Sequence, residues 1–90
     1  MTTIHNKYKE PFDVYIGRGS IYGNLYEIGK DGDRTEVVEK YRKDFNNRIK
    51  KDPHFLKCVL TLKGKRLGCF CKPKECHGDI ICEFLNNLPN

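Results

Sequence analysis

The chain has 90 residues, which suffices for one small domain spanning residues 1–90 with a modest core. Hydrophobic residues make up 38% of the sequence and charged residues 32%, a balance that excludes both a disordered tail and a membrane protein. The formal net charge is +5, and residues 1–7 lack the apolar segment of a secretory signal. We therefore expect a basic, cytoplasmic, single-domain protein.

The amino-terminal third of the chain predicts two short strands followed by a loop. Residues 12–16 are rich in β-branched and aromatic side chains and predict a strand, and residues 2–6 predict an edge strand that pairs with it. Glycine is frequent in residues 17–33, which indicates a long ordered loop. Long loops in compact domains are usually functional.

The rest of the chain predicts three helices and one strand. Apolar residues at three- and four-residue spacing predict a helix over residues 35–51, capped by Asp33. A shorter helix is predicted over residues 53–64, a strand over residues 66–71 and a last helix over residues 76–88. This order predicts an α/β layer domain with a short, mostly parallel sheet and about three helices.

The positive excess of the chain is concentrated in one stretch. Residues 53–75 hold six basic residues and one acidic residue, whereas the charges of the remaining residues cancel. Because this stretch runs into a group of cysteines, it favours an anionic ligand there, although a basic surface also serves solubility.

Three of the five cysteines form a cluster with a histidine. Cys69, Cys71 and Cys76 lie within eight residues, and His77 follows directly. In a reducing compartment such clustering indicates a reactive site or a metal site. In a reactive site, Cys71 or Cys76 would be the thiolate, with a pKa lowered by nearby lysines, and His77 or Asp79 would carry the proton.

Two other interpretations of this cluster remain open. A zinc site would draw on Cys69, Cys71, Cys76 and His77. However, adjacent residues on a helix point in different directions, so we expect no stoichiometric zinc and no other cofactor. In the third interpretation the cysteines are small core residues, Asp79 caps a helix and His77 lies on the surface.

A glycine-rich segment follows the strand predicted over residues 12–16. Residues 17–24 read Gly-Arg-Gly-Ser-Ile-Tyr-Gly-Asn, which departs from the dinucleotide-binding fingerprint because the third glycine comes one residue late. The segment can still present backbone N–H groups and a guanidinium to a phosphate or carboxylate. The candidate ligand-binding residues are Gly17, Arg18, Gly19, Ser20, Asn24 and, from the cysteine cluster, Lys72.

Several motifs together resemble a known family. They are Val-Tyr-Ile-Gly-Arg-Gly-Ser at residues 14–20, Tyr-Gly-Asn at residues 22–24, Cys-Phe-Cys-Lys-Pro at residues 69–73 and Cys-His-Gly-Asp at residues 76–79. The combination resembles the small bacterial and phage domain-of-unknown-function family DUF4326, in which an aromatic residue, often tryptophan, stands where Phe70 does.

The resemblance implies a compact α/β domain in which polar residues converge from two loops. Carried onto this chain, those residues are Arg18, Asn24, Cys69, Cys71, Cys76, His77 and Asp79. The cysteine–histidine block is also similar to a block of another family with a Rossmann-like fold, so the fold that we expect is a small Rossmann-like domain.

We therefore expect one composite site that binds an anionic, nucleotide-like small molecule, with Arg18 and Cys76 across a single pocket. The cysteine–histidine cluster would orient this ligand or act on it. The alternatives are a zinc-stabilised interaction module, a nucleic-acid-binding protein and a phage protein that binds a host protein. Nucleic acid is the weaker choice because no aromatic residues interleave with the basic residues of the segment 63–74. No membrane partner is expected.

Overall fold

The computed structural model of the chain describes residues 1–70 and 74–88. Its strands are β1 (Thr3–Asn6), β2 (Val14–Tyr15) and β3 (Arg66–Cys69), and its helices are α1 (Arg34–Lys51), α2 (Pro53–Leu60) and α3 (Gly78–Asn86). The sheet has the order β1-β3-β2, and both outer strands run parallel to β3. These elements confirm a small α/β domain with a short parallel sheet and three helices.

The last strand in the chain lies at the centre of the sheet. Its residues Leu67, Gly68 and Cys69 are buried, as expected of a strand with a neighbour on each side. The predicted pairing of the first two strands is wrong, because β1 pairs with β3, with Ile4 opposite Leu67. β3 is the most buried of the three strands and takes the central position, and β1 and β2 lie at the edges.

The strand predicted over residues 12–16 is paired over most of its length, although β2 itself has two residues. The N–H of Asp13 donates to the Arg66 carbonyl at 2.7 Å, and the N–H of Ile16 donates to the Gly68 carbonyl at 3.0 Å. The strand predicted over residues 66–71 is observed as β3 up to Cys69, and residue 71 lies outside the described residues.

The first two helices begin where local sequence signals place them. Asp33 and Glu36 form the predicted capping box of α1, in which the Asp33 carboxylate accepts the Glu36 N–H at 2.9 Å. The Asp52 carboxylate accepts the Phe55 N–H at 3.1 Å, and Pro53 occupies the first turn of α2. The first residues of α1 and α2 are thus set by contacts between near neighbours in sequence.

One hydrophobic core joins all three helices to one face of β3. Leu67 and Cys69 are buried in this core, while Arg66 and Gly68 alternate with them and point to the other face. On that other face a Cβ atom at Gly68 would lie 2.6 Å from the ring of Phe12, so only glycine lets this ring cover the strand. Among the described residues, no helix combines the length and hydropathy of a transmembrane segment.

Candidate functional site

A cleft of about 510 Å³ opens beside the carboxyl ends of β2 and β3. Parallel strands end at one edge of the sheet, where α/β domains usually bind ligands. The volume lies in the range of small-molecule sites. Six residues singled out from the sequence line this cleft: Gly17, Arg18, Asn24, Cys69, Cys76 and His77.

Arg18 and Cys76 thus line the same cleft, and a ligand site shared by the two stays a prediction. The predicted site residues Cys71 and Lys72 lie outside the described residues. Of the predicted residues that the structure describes, Gly19, Ser20 and Asp79 are not part of the cleft lining. Ligand binding by Gly19 and Ser20 and proton transfer by Asp79 stay predictions.

Gly19, Ser20 and Asp79 instead shape the backbone next to the cleft. Gly19 has a φ of +96°, a left-handed conformation that glycine adopts without strain. The Ser20 hydroxyl donates to the Gly17 carbonyl at 2.7 Å, which closes a tight turn. The Asp79 carboxylate accepts the Cys76 N–H at 3.2 Å, as the capping interpretation of this residue proposed.

Arg18 is held in the cleft wall by its backbone and by an ion pair. The Tyr15 hydroxyl donates to the Arg18 carbonyl at 3.0 Å. The Arg18 Nη1 atom lies 3.2 Å from Glu27 Oε1, and the two side chains are 62% and 47% exposed. An ion pair this exposed contributes little stability, so an incoming anion can compete with Glu27 for the guanidinium.

Asn24 anchors the loop to α1. Its Nδ2 donates to the Val37 carbonyl at 3.0 Å, and its Oδ1 accepts the Tyr26 N–H at 3.0 Å. Both ends of the amide are therefore engaged within the protein. The residue lines the cleft, and the structure supports a role in positioning the loop.

Cys69 and Cys76 form a buried thiol pair in the cleft wall. Their sulfur atoms are 3.2 Å apart, and the residues are 1% and 2% exposed. The hydrogen bond with Cys69 and the burial of the site both raise the pKa of the Cys76 thiol, while the Gly78 N–H, 3.3 Å from the sulfur, opposes them. The prediction of a lowered pKa at Cys76 is wrong, because one backbone donor does not offset burial beside a second thiol.

The order of cysteine reactivity should follow this burial. We expect iodoacetamide to modify the partly exposed Cys58 at least about tenfold faster than Cys76 in the folded protein at pH 8, because only a thiolate reacts and the buried thiol stays protonated. Peptide mapping by mass spectrometry gives the rate at each site. The same measurement in urea is the control and should bring the two rates together, whereas faster modification of Cys76 in the folded protein would contradict the buried pair.

His77 is buried beneath the cleft, 7% exposed, and the surface position considered from the sequence is wrong. Its Nε2 lies 2.7 Å from the Ile16 carbonyl oxygen, and its ring packs edge-on against Tyr41. A carbonyl only accepts, so Nε2 carries the proton in this contact. Burial lowers the pKa of His77, although the hydrogen bond to Ile16 opposes that shift. The neutral ring therefore has its lone pair on Nδ1.

The lowered pKa of His77 predicts a loss of stability in acid. In the unfolded chain His77 takes up a proton as the pH falls below about 6.5, the ordinary pKa of histidine. In the folded protein its pKa is lower, so it takes up the proton only at a lower pH. The free energy of unfolding should therefore fall as the pH drops from 6.5, by up to about 1.4 kcal/mol per pH unit. Urea titrations between pH 7 and pH 5 measure this slope, and His77→Gln should reduce it.

His54→Gln is the matched control, because His54 is exposed on α2. We expect a smaller slope in His77→Gln than in His54→Gln, since both variants remove one imidazole and that of His77 is the buried one. Asp13, whose pKa is lowered to about 2 by its hydrogen bonds to Arg66, loses its contribution only between about pH 4 and pH 2 and does not interfere. An unchanged slope in His77→Gln would contradict the neutral, buried histidine.

The zinc interpretation concerns Cys69, Cys71, Cys76 and His77. Within residues 1–70 and 74–88, no three histidine, cysteine or acidic side chains are grouped as a metal site requires. One member of the candidate set, Cys71, lies outside the described residues. The expectation of no stoichiometric zinc stays a prediction.

Five charged or aromatic residues of the cleft were not predicted as site residues: Tyr26, Glu27, Arg34, Phe70 and Glu75. Arg34, the first residue of α1, donates from Nη1 to the Glu75 carbonyl at 3.0 Å and so links the loop side of the cleft to the segment before α3. Its position directly after a glycine-rich loop, at the start of a helix, was the available signal. Phe70 directly follows Cys69 and Glu75 directly precedes Cys76, so their places beside predicted site residues were the available signal.

The basic stretch predicted to surround the cysteine cluster is largely at the other end of β3. Lys63 and Lys65 precede this strand and Arg66 begins it, whereas the cleft lies past its last residue, Cys69. Arg66 is also paired, with its Nη2 atom 3.1 Å from Asp13 Oδ1. Among residues 1–70 and 74–88, the cations that line the cleft are Arg18 and Arg34, which come from other segments. Lys72, which belongs to the basic stretch, lies outside the described residues.

The comparisons with known proteins agree with the motifs. The family described as a domain of unknown function, DUF4326, matches residues 2–87. Over 84 residues the chain is 50% identical to the "Uncharacterized 12.4 kDa protein in nrdA-td intergenic region" of Enterobacteria phage T4, covering 92% of this chain and 76% of that protein. No solved structure matches the chain. Because the family match spans nearly all of its residues, the chain belongs to the DUF4326 family.

Proposed function

We propose that the cleft binds a small anionic, nucleotide-like molecule. The observation that carries this proposal is the convergence of two guanidinium groups, those of Arg18 and Arg34, on one cleft of small-molecule size. Guanidinium groups bind phosphate and carboxylate through paired N–H donors. The two arginines come from different segments, the loop after β2 and the start of α1.

Both guanidinium groups can take an additional acceptor. Arg34 uses Nη1 to bind the Glu75 carbonyl, and a guanidinium has five N–H donors in all. Arg18 is engaged by Glu27 in a contact exposed to solvent, which a ligand phosphate can displace. In this proposal Glu27 occupies the anion position in the free protein and leaves it when the ligand binds.

The inner wall of the cleft favours orientation of the ligand over covalent attack. Because the pKa of Cys76 is raised, its thiol stays protonated at neutral pH and is a poor nucleophile. The neutral His77 ring has an acceptor at Nδ1 that suits a hydroxyl or amino group of the ligand. We propose that the cysteine–histidine cluster recognises the ligand and does not form a covalent bond with it.

Neutralising each partner of the Arg18–Glu27 ion pair in turn tests the anion site, because the two substitutions should change the affinity in opposite directions. With inorganic tripolyphosphate as the probe, Arg18→Gln should weaken binding by about tenfold or more, since it removes a charge-assisted hydrogen bond. Glu27→Gln should instead strengthen binding by a few-fold, because it removes the group that competes for Arg18. Isothermal titration calorimetry at fixed ionic strength measures both constants.

Arg42→Gln serves as the control for net charge. Arg42 lies on α1, paired with Glu39 and Glu83 and outside the cleft lining, so its loss changes the total charge by the same amount. Its effect on the binding constant should stay within about twofold. Equal weakening by Arg18→Gln and Arg42→Gln would show that only the overall charge matters and would overturn the proposed site.

A further inference from the structure

Three aromatic rings surround one lysine beside the cleft. The Lys7 ammonium lies 4.6 Å from the ring centre of Tyr15 and 4.8 Å from that of Phe70. Phe70 is in turn 5.4 Å from Tyr8 and 5.8 Å from Tyr15, measured between ring centres. These four residues, here called the aromatic platform, combine π faces with a positive charge.

The sheet brings the aromatic platform together. Lys7 follows β1, Tyr15 ends β2 and Phe70 follows β3, and all three strands end at the same edge. The Lys7 N–H donates to the Cys69 carbonyl at 2.9 Å, which holds the two chain segments side by side. The platform is therefore fixed by the sheet and does not depend on the conformation of a single loop.

The rings of this platform are more exposed than a packing role requires. Tyr8 is 74% exposed and Phe70 is 44% exposed, and neither belongs to the hydrophobic core. Phe70 also lines the cleft that contains Arg18 and Arg34. A ligand held by the two arginines would thus meet a partly exposed aromatic ring at the edge of its own site.

We propose that the ligand is a nucleotide whose base stacks on Phe70 and whose phosphates bind Arg18 and Arg34; this inference rests on the proposed function of the cleft. A base offers a flat π face to the ring, and such stacking is sequence-tolerant. The Lys7 ammonium, 4.8 Å from the ring centre of Phe70, places positive charge next to the stacking ring, which favours an anionic nucleotide over a neutral aromatic ligand.

Comparing the affinities of nucleoside triphosphates with that of tripolyphosphate, which has no base, tests this assignment. In calorimetry we expect at least one of ATP, GTP, CTP and UTP to bind the full chain about 5- to 150-fold more tightly than inorganic tripolyphosphate, the range expected for stacking one base on an aromatic side chain. Phe70→Leu should remove this preference and leave tripolyphosphate binding unchanged, whereas Phe70→Tyr should keep it. Leu25→Ala, at a side chain 89% exposed and outside this cleft, should change neither constant.

Three other results of the binding experiment would each contradict a specific part of the nucleotide assignment. Equal binding of the nucleotides and tripolyphosphate, with Arg18→Gln weakening both, would remove the stacked base and leave the anion site in place. Binding of neither class would overturn the proposed function together with this inference. An oligothymidylate of eight nucleotides that binds far more tightly than UTP, and loses affinity in Phe70→Leu, would assign the platform to single-stranded nucleic acid instead of a free nucleotide.

Discussion

Replacing Phe45 by alanine is expected to destabilise the protein by about 3–5 kcal/mol, which would leave a domain of this size largely unfolded. Phe45 is 1% exposed and lies where α1 meets α2 and α3. Its ring centre is 5.9 Å from those of Tyr41 and Phe55 and 5.6 Å from that of Phe84. The alanine variant would remove the common partner of these three rings and leave a cavity among them.

Circular dichroism during urea unfolding at 25 °C measures the effect of Phe45→Ala. Leu25→Ala is the control, because this side chain is 89% exposed and its truncation should change the free energy of unfolding by less than about 0.5 kcal/mol. A Phe45→Ala protein that unfolds at the same urea concentration as the parent would show that the three helices do not pack around this ring.

Features that depend on near neighbours could be predicted from the sequence. The Asp33–Glu36 capping box and the Asp52–Pro53 start of α2 involve residues at most three positions apart, so their geometry follows from local spacing. The element order also predicted the parallel sheet. The pairing of β1 with β3 was missed because it joins residues more than sixty positions apart, and strand patterns do not name their partners.

The residues of the site could also be predicted only where their positions follow from nearby sequence. The sequence located Arg18 and Cys76 in one pocket, since both follow predicted strands of one sheet. It failed for the pKa of Cys76, which depends on the burial of this thiol against Cys69. The aromatic platform was missed for a similar reason, because Tyr8 and Phe70 become neighbours only when β1 and β3 pair.

The amino terminus and the last helix are joined by a reciprocal pair of hydrogen bonds that should contribute strongly to stability. The Thr2 N–H donates to Asn86 Oδ1 at 2.9 Å, and Asn86 Nδ2 donates to the Thr2 carbonyl at 3.0 Å. Thr2 is 2% exposed, whereas Asn86 lies at the surface, so both bonds are partly buried. Its hydroxyl also accepts the Gly64 N–H at 2.9 Å, which links this junction to the turn before β3.

Asn86→Ala should therefore lower the free energy of unfolding by about 1–3 kcal/mol, because it removes two partly buried hydrogen bonds to the backbone of Thr2. Asn86→Asp keeps the acceptor for the Thr2 N–H and should lose less. Asn87→Ala is the matched control, since its side chain makes no hydrogen bond within the described residues. Urea unfolding and amide exchange at Thr2 would report the loss, and equal stability of the two alanine variants would show that the junction contributes nothing.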